Sequence, residues 1–262
     1  MRILTRMLFS VARASGGVAT LLHYAGASTL RLAEMKQGIQ QTWQRFNGGE
    51  EGIGAGLMPW EEDLVGRFVA PEASVLIVGC GSGRDLLSLA ARGCRVTGVD
   101  PASMALSAAR RVLHERQLQA ELIDGFFEDV QLSGRFDVVM FSYYSYSYIP
   151  ESARRIHVLR KAAAHLTTGG HILLSYPAIN RPRPVMIRLA RIVGRMCGSD
   201  WRLEPGDYVV PERAANQVFY SYAHAFAPGE VETEAAAAGL RIVYRRDPPG
   251  DPVIALVSDT PL

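Results

Sequence analysis

The chain has 262 residues, of which 48% are hydrophobic and 21% charged, with a formal net charge of +2. That length can bury a large core in one domain or in a domain with an appendage, and the composition excludes a disordered or fibrous chain. The small charge gives no general pull towards nucleic acid. The three cysteines, Cys80, Cys94 and Cys197, have no metal-ligand spacing and leave an odd thiol, which supports neither zinc nor a disulfide framework and makes a cytoplasmic setting the expectation.

Residues 1–32 contain Arg2, Arg6, Arg13 and Arg31 and precede the first acid, Glu34. Arg6 breaks the apolar run that a secretory leader needs, and Gly16-Gly17, His23 and Arg31 interrupt anything of membrane-spanning length. Four readings stay open: a helix packed on its own domain, a lid over a site, a targeting segment, and a helix lying on a membrane surface. Residues 29–46 form a helical pattern with Leu30, Ala33, Ile39 and Trp43 on shared faces, and Asn47-Gly48-Gly49 ends it. After a glycine-rich connection, Pro59 followed by Glu61, Glu62 and Asp63 marks a new helix start. The division expected is therefore a helical lid segment over 1–58 and a main domain over 59–262. Trp43, Phe46 and Trp60 can each pack or form an aromatic wall.

Val75-Leu76-Ile77-Val78 reads as a strand buried on both faces, running into Gly79-Cys80-Gly81-Ser82-Gly83 and then a helical pattern from Asp85. Strand, glycine turn and helix start form a nucleotide-type site: the glycines allow a sharp turn and a close ligand, and the helix start favours an anionic group. A dinucleotide fingerprint would need glycine at 84, where Arg84 stands, so a pyrophosphate across the helix end is disfavoured. A second strand, 95–100, ends in Asp100, whose carboxylate can accept both hydroxyls of a ribose.

Residues 75–85 with Val99-Asp100 resemble the cofactor half of the class I S-adenosylmethionine-dependent methyltransferases. The resemblance implies an α/β, Rossmann-like sheet of seven strands, mostly parallel with an antiparallel last strand, and helices on both faces. It implies S-adenosylmethionine as cofactor, with Gly79, Cys80, Gly81 and Gly83 around the amino-acid tail, Asp100 on the ribose and Pro101 along the adenine. Met104 can lie there too, or in the core. After the third strand, 120–123, Gly125, Phe126 and Phe127 would surround the adenine. Phe126 stands where the family usually has an acid, with Asp124 before it and Glu128 after it.

The fourth strand, 136–141, is followed by Ser142-Tyr143-Tyr144-Ser145-Tyr146-Ser147-Tyr148. In the family this edge lies beside the transferred methyl, so Ser142 is placed at the cofactor and Tyr143 and Tyr146 are the first catalytic candidates, with Tyr148 next. The Pro-Pro motif of the enzymes that methylate nucleic-acid bases and protein amides is missing, which makes those poor substrates and leaves no nucleic-acid partner expected. A helix over 153–166, stopped by Gly169-Gly170, leads to a fifth strand at 171–175.

Residues 177–222 exceed an ordinary connection and are expected to choose the substrate. Here Arg181, Arg183, Arg188, Arg191, Arg195 and Arg202 stand against Asp200, and 185–196 alternates apolar residues with arginines. Such a helix can form a charged lid, meet an acidic substrate or, with 1–32, touch anionic lipid as a peripheral membrane contact. His224, near a strand end, is a candidate general base or a structural residue. A helix over 230–238 and strands at 241–244 and 253–257 close the sheet. The expected function is methyl transfer to an oxygen or nitrogen of a small, lipophilic molecule without metal. The alternative is an inactive scaffold or membrane-associated binding protein of the same fold.

Overall fold

A computed structural model of the chain describes residues 3–45, 53–179, 184–214, 217–247 and 252–259. Seven strands make the main sheet: β1 (Ser74–Val78), β2 (Arg95–Asp100), β3 (Glu121–Asp124), β4 (Phe136–Phe141), β5 (Leu166–Ser175), and, from the end of the chain, β8 (Leu240–Arg246) and β9 (Val253–Ser258). Their order is β3-β2-β1-β4-β5-β9-β8. The first five are parallel, and β9 runs antiparallel to both β5 and β8. This is the sheet the resemblance implied.

Central β1 explains its own composition. Val75 and Ile77 point to one face, where α3 (Pro59–Phe68), α4 (Arg84–Ala90) and α5 (Ser103–Glu115) bring Leu64, Leu86 and Leu106. Leu76 and Val78 point to the other, against Val158 and Leu159 of α6 (Ser152–Ala164) and Ala235 of α8 (Glu230–Ala237). A strand covered on both faces must be apolar at every position, not at alternate ones.

A second, smaller layer is built from both ends of the sequence. α1 (Ile3–Thr29), α2 (Leu32–Arg45), α7 (Pro184–Met196) and a hairpin of β6 (Asp207–Ala214) and β7 (Gln217–His224) share a separate core that includes Tyr24, Met35, Ile39, Ile187, Trp201, Leu203 and Tyr222. Ser28 donates to the Ala190 carbonyl at 2.8 Å. Gly194 makes that helix crossing fit, because a Cβ there would lie 2.7 Å from the Ser28 carbonyl oxygen. The two basic segments therefore lie side by side. Among the described residues, no helix is long and apolar enough to cross a membrane.

Three local expectations change. The 29–46 pattern breaks at Leu30 and Arg31, where the Arg31 and Leu32 N–H groups donate to Glu34 and Asp200. β5 begins at Leu166, five residues earlier than read, so Gly169 and Gly170 lie within an irregular strand and do not precede it. The β6–β7 hairpin was hidden inside the long connection.

Candidate active site

The cleft opens where β1 turns into α4. Gly79 has φ +76° and Gly81 φ +51°, backbone that favours glycine. A Cβ on Gly79 would come 2.6 Å from the Ser145 Cβ, so this turn can nest under the end of β4 only as glycine. A Cβ on Gly81 would meet no protein atom within 4 Å; its bare backbone faces space offered to a ligand. Asp100 anchors the loop, accepting from the Gly81 N–H at 2.8 Å and the Ala102 N–H at 2.7 Å. Burial raises its carboxyl pKa, against the lowering effect of those two bonds. Each oxygen keeps a lone pair for a further donor.

Gly79, Cys80, Gly81, Asp100, Pro101, Gly125, Phe126, Phe127, Ser142 and Tyr143 all line one cavity of about 300 Å³. Gly83 does not. It caps α4 at φ +94°, and a Cβ there would lie 3.1 Å from the Ala109 Cβ, so its work is to let α4 approach α5. Met104 is 57% exposed and also lies off the cavity.

Helix α2 covers this end of the cleft with a polar stripe spaced by four. Lys36 pairs with Glu128 at 2.9 Å and Asp129 at 2.6 Å and sits 4.3 Å over the Phe126 ring. Gln40 donates to the Pro101 carbonyl at 2.7 Å, and Gln44 accepts from the Met104 N–H at 3.0 Å. Sequence reading missed these three; the i, i+4, i+8 spacing was its only local trace.

On the other side, residues 142–148 form a 3-10 turn after β4, in which Tyr143 (φ 42°) and Tyr144 (φ 62°) take left-handed backbone. Strain of about 1–3 kcal/mol per residue persists only where neighbours fix the conformation. Here Ser145 donates to the Val78 carbonyl at 2.8 Å and Ser147 to the Tyr144 carbonyl at 2.7 Å. The turn presents Tyr143 and Tyr148 to the cavity, where Trp43 of α2 meets both: ring centroids are 6.4 and 4.9 Å apart, at 88° and 69°. Trp60 is buried and 6.2 Å from the Tyr144 ring, so it packs behind the wall. Phe46 lies outside the described residues.

Beside the glycine turn, Arg84 forms a two-pronged bond to buried Glu61 at 2.5 and 2.7 Å. Asp85 accepts from the Ser142 hydroxyl through Oδ2. Its Oδ1 is 2.6 Å from the Arg84 guanidinium but outside hydrogen-bond geometry. Burial, with Glu61 adding to it, pushes the Asp85 carboxyl up to about 7.

The structure does not bring the other two catalytic candidates to the cavity. Tyr146 is fully buried and donates to Glu234 at 2.6 Å. His224 is equally buried, with Nδ1 2.6 Å from Asp207 and Nε2 2.9 Å from Glu230. Both belong to an ionic knot centred on buried Arg155, which reaches Glu204 at 2.9 Å, Glu230 at 3.3 Å and Glu234 at 2.8 Å. Burial alone would depress the imidazole, but the bonds to Asp207 and Glu230 outweigh it and raise His224 to about 9. Glu204, Asp207 and His224 are close enough to hold a cation. The guanidinium and the imidazolium already supply positive charge to that knot.

The strand order, the glycine turn and the acid at the end of β2 together define an α/β fold that takes a nucleoside-type cofactor at the carboxyl ends of its strands. Residues 75–170 match the family described as "Methyltransferase domain". Those residues therefore carry a methyltransferase domain, and the sheet around them has the fold of the class I S-adenosylmethionine-dependent methyltransferases. Over 124 residues the chain is 34% identical to the cypemycin N-terminal methyltransferase of a Streptomyces species, covering 46% of this chain and 47% of that protein. Over 121 residues it is 30% identical to the ribosomal RNA small subunit methyltransferase C of Haemophilus influenzae, covering 45% and 36%. The matches thus span about half or less of the curated relatives. The glycopeptide N-methyltransferase MtfA, solved with S-adenosylmethionine, superposes with a TM-score of 0.55 at 19% identity over 81% of this chain and 89% of that one.

Proposed function

We propose that the chain transfers the methyl group of S-adenosylmethionine to a nitrogen or oxygen of a small molecule with an apolar body. The observation that carries this reading is the shared cavity: glycine turn, ribose-type acid, adenine-side rings and tyrosine turn all line it. The residues fit the cofactor. Gly79 and Gly81 leave room for its amino-acid tail, Asp100 can accept from the ribose hydroxyls, and Phe126 and Phe127 flank the adenine position. S-adenosylmethionine supplies the electrophilic methyl when bound. The chain's own part is to orient the acceptor and exclude water, which falls to α2 and the tyrosine turn that line the cavity, with α1, α7 and the hairpin packed behind α2.

A small acceptor is favoured over a base in folded RNA because cofactor and acceptor must share one cavity of about 300 Å³, covered by α2 from a cap with its own core. The relatives' names divide: the cypemycin N-terminal methyltransferase and the glycopeptide N-methyltransferase act outside nucleic acid, whereas the ribosomal RNA methyltransferase acts on it, so the choice rests on the cleft.

Calorimetric titration with S-adenosylhomocysteine tests the reading. Micromolar binding is expected, weakened about 10- to 100-fold in Asp100→Ala, the scale of charged hydrogen bonds left unmade. A folded parent protein that binds no S-adenosylhomocysteine would end the methyl-transfer reading.

A further inference from the structure

We propose that the acceptor is an amine, and that Trp43, Tyr143 and Tyr148 form an aromatic wall that holds the positive charge present in the cleft throughout its methylation. This deepens the reading above and rests on it. The three rings come from two separate elements, α2 and the strained 3-10 turn, yet line the same cavity as the glycine turn. The Trp43 ring stands at 88° to Tyr143 and 69° to Tyr148, so π-faces and ring edges meet around a corner. A cation within about 6 Å of such faces is attracted by the ring quadrupoles, most strongly by tryptophan. Burial pushes the Tyr148 phenol up to about 12, so this ring stays neutral at ordinary pH.

Charge accounting selects the acceptor. For an amine that has given its proton to water before it enters the cleft, the nitrogen lone pair forms the new N–C bond while the S–C bond breaks with its electron pair left on sulfur. One positive charge exists before and after; it moves from sulfur to nitrogen and needs no base during transfer. For a hydroxyl, a proton must leave and the charge disappears. The lining is poorly equipped for that proton: no histidine is among the described lining residues. Of the lining carboxylates, Glu128 is paired with Lys36, Asp100 accepts from two backbone N–H groups, and Asp85 is buried, accepting from Ser142 with the Arg84 guanidinium 2.6 Å from its other oxygen. Neutral π-faces that stabilise a cation without accepting a proton suit the amine.

The test compares two probes of one shape on the full chain saturated with S-adenosylhomocysteine: choline, and the uncharged 3,3-dimethylbutan-1-ol. Choline is expected to bind at least about fivefold more tightly. Trp43→Ala should abolish the preference and Trp43→Phe retain most of it, each measured with the variant folded and saturated with S-adenosylhomocysteine at its own affinity. If Trp43→Ala does not fold, Tyr143→Leu, at an exposed ring, takes its place. Equal affinities, an ammonium probe that fails to saturate, or a preference surviving loss of the ring would overturn the proposal. Failure of S-adenosylhomocysteine itself to bind would remove the methyl-transfer reading first, and this one with it.

Discussion

Gly79 carries the chain out of β1 at φ +76° and lets the tyrosine turn settle on it. A methyl group there meets two penalties, the left-handed backbone and the 2.6 Å approach to the Ser145 Cβ. Gly79→Ala is expected to lower stability by about 2–3 kcal/mol in urea unfolding. Ser145→Gly in the same chain should recover the steric share but not the backbone share. Full recovery, or none, would show that the clash is misassigned. The glycine and Asp100 were legible in the sequence because their signal is local: an apolar run, a turn and an acid at a fixed distance. The tyrosines were not. Residues 143 and 146 are one 3-10 turn apart and look equivalent, yet Glu234, eighty-eight positions away, draws Tyr146 inward while Tyr143 remains 43% exposed at the cavity.

At the scale of elements, α7 shows how much a helix pattern leaves unsaid. Its alternation of apolar residues and arginines suited a lid first, and also an acidic substrate or a lipid contact. The structure shows that Ile187, Ala190 and Gly194 are buried, with Ser28 of α1 against the last two, while Val185, Leu189, Ile192 and Met196 stay exposed. Gly194→Leu should force α1 and α7 apart. The expected result is a melting temperature several degrees lower, with faster amide exchange in α1 and α7 than in β1 or β4. Uniform exchange throughout the molecule would contradict a separately cored cap. The hairpin escaped notice because Pro211 lies inside β6, and a proline demotes a strand reading; as half of a two-stranded ribbon, β6 has an edge that tolerates it.

Considered as a whole, the molecule joins its two layers through the knot around Arg155. That residue sits on α6, His224 closes β7, Asp207 opens β6, and Glu230 and Glu234 belong to α8. Removing one partner from a buried ionic group costs more than the pair contributes. His224 has its folded value raised to about 9 from an ordinary 6.5. Its stabilisation is therefore complete below about 6.5 and is lost as pH rises through 9. The melting temperature is expected to fall between pH 7 and 9.5, and His224→Gln should flatten that fall. An unchanged slope in the variant would remove His224 from the account. Asp85 also loses stability as pH rises, but between about 4 and 7, so the two windows are separable. Read from the sequence, His224 could be a base beside the chemistry or a structural residue, because position near a strand end was all that could be seen. Its two carboxylate partners are what make it structural.

The cap's composition from both halves of the chain has a consequence in time. Tyr24 bonds to Asp207 and Ser28 to Ala190, partners separated by 183 and 162 positions. During synthesis at roughly 5–20 residues per second, α1 and α2 leave the ribosome on the order of ten seconds before anything exists to cover them. Their buried faces, Tyr24, Ala27, Met35 and Ile39, must stay in solution or in a chaperone's keeping while the whole parallel sheet is made. Segments written before the sheet are among the last to find their place, and the cleft acquires its roof only after the floor is complete.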